Sequence, residues 1–234
     1  MKKLLIAAFA LTTAASVFAQ GSVQFQNRIS AGIVQTTHIW GPSTTNPGLS
    51  LIGLGSNDTP TPGATAFGTA SGMSLIGASG SGGKYGYTTT FAQLIGAEGS
   101  GIAEASLKPL GQTTTFKTGT SLGGVALITD TLSGASPVSS GAAYATFEIV
   151  AWDNSTSQYS TWTQASAAWL LGTIAAGHSA KFNVSAIGGG LNSPPNLNNM
   201  ESITSFNLYF IPEPSTFALA GLGMATLLVF RRRK

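Results

Sequence analysis

The chain has 234 residues, no cysteine and only 8% charged residues, while 43% are hydrophobic. An average soluble domain carries roughly 25% charge, so this low value argues against disorder driven by self-repulsion. The missing cysteines exclude disulfides, thiolate metal sites and a cysteine nucleophile. The formal charge of +3 comes from the two ends: between Gln20 and Ile211 five bases face seven acids, a net −2, which disfavours nucleic acid as a partner.

In chain order, residues 1–19 read as a secretory signal peptide. Lys2 and Lys3 precede an apolar stretch, and Val17 and Ala19 fit the small-residue cleavage pattern, leaving Gln20 as the new N-terminus. This predicts export through the Sec pathway. Residues 20–210 then form one extracytoplasmic domain. Gly 30, Ser 27 and Thr 28 make up about 36% of the chain. They punctuate short runs of β-branched and aromatic residues, the pattern of strands separated by turns.

Strands are expected at 23–25, 33–40, 84–95, 113–117, 125–131, 144–152, 180–187 and 203–210. In 144–152, Ala145, Phe147, Ile149 and Ala151 share one face, read as the buried side of a half-exposed strand; Tyr144, Thr146, Glu148, Val150 and Trp152 share the other. One helix is expected at 161–171, with Ala165, Ala168 and Trp169 as its apolar stripe. Segments 42–62, 79–83 and 188–199 read as loops. The pattern as a whole predicts an all-β fold, an antiparallel β-sandwich of jelly-roll type.

The C-terminal segment, 211–234, is built differently. Pro212, Glu213 and Pro214 lead into an apolar run at 217–230 that includes Phe217, Leu219, Leu222, Leu227, Leu228, Val229 and Phe230. Arg231, Arg232, Arg233 and Lys234 close the chain. As a helix the run is about 21 Å long, short against a hydrocarbon core of roughly 30 Å. The basic cluster behaves as a stop that stays cytoplasmic, which makes the run a single transmembrane anchor.

Together, Pro212-Glu213-Pro214, the apolar run and the basic end resemble the PEP-CTERM sorting signal of Gram-negative bacteria. The resemblance implies recognition by exosortase, a membrane processing enzyme, with Pro212, Glu213 and Pro214 read as a unit. It also implies a transient stay in the inner membrane, then a place at the cell surface or in an extracellular matrix linked to exopolysaccharide. Within the body, residues 21–27, 91–94, 115–119, 151–153 and 193–195 resemble a group of PEP-CTERM proteins and add no mechanism.

The catalytic inventory is thin. His38 and His178 have no second histidine or carboxylate at metal-ligand spacing. His178 reads as a turn residue and His38 as an ordinary strand position. Glu98, Glu104 and Asp153 are carboxylates whose spacing does not mark a catalytic pair. No Gly-x-Ser-x-Gly, dinucleotide, P-loop or calcium-loop motif occurs. No catalytic residue, metal or cofactor is therefore expected, and the chain reads as a non-enzymatic structural protein of the cell envelope. The competing expectation is a carbohydrate-binding module in which Trp40, Trp152 and Trp162 stack on sugar rings. That reading requires their rings exposed on one face.

Overall fold

A computed structural model describes residues 21–29, 35–59, 61–132, 135–185, 187 and 203–212. The signal peptide, the 188–199 segment, Glu213, Pro214, the apolar run and the basic end lie outside the described residues. Among the described residues no helix is long and apolar enough to cross a membrane.

The centre of the fold is an antiparallel pair, β6 (Thr90–Glu98) and β9 (Tyr144–Asp153), in register from Thr90 opposite Asp153 to Glu98 opposite Ala145. β7 (Lys108–Thr114) extends the sheet from β6, with a bulge between Ala92 and Leu94. On the other edge of β9 lie two short strands, β10 (Ala176–His178) and β11 (Phe182–Ser185). Among the described residues three smaller sheets accompany this one. β1 (Gly21–Phe25) pairs with β8 (Ile128–Leu132), and β2 (Arg28–Ile29) with β3 (Gln35–Thr36). β12 (Ser205–Asn207) lies between β4 (Ile39–Trp40), to which it runs parallel, and β5 (Ile52–Gly53). Mostly antiparallel β structure is thus observed; among the described residues the pairings form one five-stranded sheet with small satellites, and two full packed sheets of a sandwich are not seen there.

Strand β9 is buried on both faces, not one. The odd-numbered set, Ala145, Phe147, Ile149 and Ala151, joins a large cluster with Val23, Phe25, Leu94, Phe182 and Phe206. On the reverse face Val150 and Trp152 join Ile95, Ala165, Trp169 and Ile174. The alternation in the sequence is real, but the face read as exposed is roofed by the helix α1 (Trp162–Leu170). Trp152, packed against Trp162 of that helix, is 0% exposed, and Glu148, paired with His178 of β10, is 1% exposed.

The α1 helix starts with reciprocal hydrogen bonds: the Gln164 amide donates to Thr161 Oγ1 at 3.4 Å, and the Thr161 amide donates to Gln164 Oε1 at 3.3 Å. This capping box satisfies donors that the first turn leaves free. Ala165, Ala168 and Trp169 are its buried residues, the stripe expected from the sequence.

Close packing demands glycine at two sheet positions. Gly96 sits opposite Phe147, and a Cβ there would fall 2.5 Å from the Phe147 ring. Gly111 has φ +62, and a Cβ on it would collide with the buried carboxylate of Asp130.

Candidate functional site

Two places on the body bring polar chemistry and aromatic surface together. The first is a cavity of about 350 Å³ lined by Trp40, Asn57, Asp58, Thr65 and Phe67 among others. Trp40, at the end of β4, stacks on Phe67 with centroids 5.8 Å apart and planes 3° from parallel. Asp58 is held at the cavity wall by a tight turn: the Gly55 amide donates to its Oδ2 at 2.6 Å. Its carboxylate also accepts from Ser205 Oγ at 2.7 Å and lies 2.8 Å from His38 Nδ1.

Serine, histidine and aspartate therefore meet, but in an order that does not activate the serine. Nucleophilic catalysis places the imidazole between hydroxyl and carboxylate. Here Asp58 stands in the middle, and Ser205, which is 0% exposed, donates its hydroxyl hydrogen bond to the Asp58 carboxylate. The trio pins the loop at 58 to β12 and β4. It is structural.

The second place is the reverse face of the central sheet. Trp152, Trp162 and Trp169 form a chain of tilted rings with centroids 5.8 and 6.0 Å apart. Trp169 meets Tyr209 edge-on at 5.1 Å and His178 at 6.2 Å. The Trp152 indole donates to Tyr159 O at 2.7 Å and the Trp169 indole to Tyr209 O at 2.9 Å, so neither buried N–H is left without a partner.

At the edge of this aromatic wall, His178 Nδ1 lies 2.5 Å from Glu148 Oε1. Glu104, from the 3₁₀ turn Glu104–Ser106, completes a group whose ligand-type atoms all lie within 4.8 Å of one another. Burial opposes the charged form of His178. The hydrogen bond to Glu148, its charge and that of Glu104 nevertheless leave the imidazole pKa above its ordinary value. Burial also raises the Tyr209 hydroxyl pKa; a hydrogen bond with Ser50 works against this, and the charge on Glu104 adds to it.

His178 is thus a strand residue of β10, paired across to Val150, and not the turn residue that Ala-Gly before it suggests. The reason is that β10 needs no side-chain alternation of its own; it is templated by the edge of β9. Glu148 drew no attention because its strand face was read as exposed. Its one legible signal is being the sole charged residue between Tyr144 and Trp152 in a chain poor in charge.

The three tryptophans expected as sugar platforms do not share one exposed face. Trp152 is fully buried, Trp162 is half-buried against it, and Trp40 is half-exposed in the separate cavity beside Phe67. Pro212 is exposed; a Cβ on Gly48 would lie 3.1 Å from its ring.

No curated protein and no solved structure matches the chain. Residues 210–234 match the family described as the PEP-CTERM protein-sorting motif. Pro212-Glu213-Pro214, the apolar run and the basic end all fall inside that match, so the chain carries a PEP-CTERM sorting signal, the mark of an exported protein handed to exosortase.

Proposed function

We propose that the protein is a non-catalytic component of the cell envelope or extracellular matrix, associated with exopolysaccharide. The observation that carries this reading is the PEP-CTERM motif at 210–234. The signal peptide at 1–19 directs the chain through the Sec pathway. The run at 217–230 holds it in the inner membrane until exosortase acts, and the body at 20–210 is then released to the surface. The low charge and abundant Ser, Thr and Asn suit a body that meets hydrated polymer. The inverted order of Ser205, Asp58 and His38 supports a role without catalysis.

The test is fractionation of cells expressing Glu213→Ala, or a chain lacking residues 231–234. Both variants should accumulate unprocessed in the membrane fraction. Normal processing and localisation of both would refute the sorting assignment.

A second reading, sugar binding, has one observation in its favour: the Trp40–Phe67 pair lines a cavity together with Asn57, Asp58 and Thr65. Flat apolar rings beside polar groups are what a sugar face and its hydroxyls require. In this reading Trp40 is the platform, and Trp152 and Trp162 are packing. Binding to a polysaccharide panel that Trp40→Ala abolishes, and Trp162→Ala leaves intact, would establish it.

A further inference from the structure

We propose that Glu104, Glu148 and His178 form a binding site for a divalent transition-metal cation, with Zn²⁺ as the best fit. The three residues come from three separate elements, the 3₁₀ turn Glu104–Ser106, β9 and β10, so their convergence is a product of the fold and not of local sequence. One imidazole and two carboxylates are a set that Zn²⁺ accepts, and three protein ligands leave a fourth position for water.

The distances come within side-chain reach of a zinc site. A tetrahedral Zn²⁺ holds nitrogen and oxygen ligands at about 2.0–2.2 Å, so two ligand atoms on one ion lie about 3.3–3.6 Å apart. The ligand atoms here lie within 4.8 Å of one another, and the ion would take the place of the proton now shared between His178 Nδ1 and Glu148 Oε1, 2.5 Å apart. Glu104 is exposed and can swing inward, while Glu148 and His178 are fixed by the sheet.

An independent observation points to a missing partner. Glu148 is 1% exposed, and its Oε2 is buried without a hydrogen-bond partner. A carboxylate oxygen in that position forfeits its hydration and gains nothing in return. A pure ion pair with His178 satisfies only Oε1; a cation would satisfy the second oxygen. The side chain of His178 is 20% exposed, so the group opens to solvent and an ion can enter.

The site would also fasten the 3₁₀ turn to the sheet edge. Zn²⁺ binding should therefore raise the unfolding temperature of the body as well as register calorimetrically.

The experiment is titration of the full chain, purified in a mild detergent, with ZnCl₂ by calorimetry and by thermal unfolding. Wild type should bind one equivalent with a micromolar or tighter Kd and unfold at a higher temperature when loaded. Glu104→Gln, at an exposed position, should fold normally and weaken binding by at least about tenfold; His178→Asn should do the same. Glu98→Gln, an acid outside the group, should bind like wild type. Absence of saturable Zn²⁺ binding, or unchanged affinity in Glu104→Gln, would overturn the proposal.

Discussion

Phe147 and Glu148 are neighbours in β9, yet they point to opposite sides of the sheet and into different chemistry. On the Phe147 side the neighbours are Leu94, Ile149, Phe182 and Val184, a contiguous apolar cluster. On the Glu148 side three tryptophans, His178 and the Glu104 turn make a mixed wall of rings and charge. A strand that reads as one amphipathic ribbon is buried twice over, once to hold the fold together and once beneath a helix that leaves a polar edge open. The lesson is that the face carrying the unusual groups is the one to examine for function, even when both faces are inside.

The comparison breaks most sharply at Phe147. Truncation to alanine should cost about 3–5 kcal/mol, because the ring is fully buried and Gly96 opposite it cannot fill the void. Urea unfolding measures this directly; a loss under 1 kcal/mol would mean that the apolar cluster does not hold the sheet.

The next effect is a pH dependence on that same apolar side. Asp130 lies on β8 between Ile128 and Leu132. Burial pushes its carboxyl up to about 6, against a hydrogen bond from the Gln112 amide that pulls the other way. An acid with a raised folded-state pKa favours folding while protonated. Its contribution is complete below the unfolded value of 3.8 and is lost as pH rises through about 6. The loss should be roughly 2–3 kcal/mol. Asp130→Asn should remove that part of the slope between pH 4 and 7 and be the more stable protein at pH 7. Identical slopes for the two proteins would remove Asp130 as the cause.

The roof over the reverse face should respond more mildly. Thr161→Ala deletes one half of the capping box, at about 1 kcal/mol, read as a lowered unfolding midpoint.

The smallest effect is the most discriminating. Replacing Glu148 and His178 together by leucine should shift stability by less than about 1 kcal/mol in either direction, since apolar residues of similar size often replace a buried ion pair without loss. A large loss would make the pair structural like Phe147 and erase the contrast between the faces.

Local pattern made much of the scaffold readable in advance. The helix expected at 161–171 is present as Trp162–Leu170 with its buried stripe of Ala165, Ala168 and Trp169, because helical spacing is written within nine residues; the capping box that starts it goes unread in the sequence. The core of β9 was legible for the same reason. The strand expected at 84–95 begins only at Thr90, since 84–89 is taken up by turns around Gly86 whose carbonyl accepts from Thr89 and Thr90. β10 was missed because Ala-Gly-His has no alternation to read and is shaped by its partner strand. The Glu104, Glu148 and His178 group was illegible because its members lie 44 and 30 residues apart, and only the pairing of β10 with β9 and the turn after β6 bring them together.

Strand β12 runs almost directly into the sorting signal. The Phe210 amide is bonded to Pro47 O, Phe210 packs on one hydrophobic cluster, and Ile211 packs on the other. The rigid body thus reaches Pro212 with no leash. Four residues separate Pro212 from Phe217, a reach of at most about 18 Å. A processing enzyme working at this motif must do so in the shadow of the body, and a spacer inserted after Ile211 would lengthen that standoff without altering a single packed side chain.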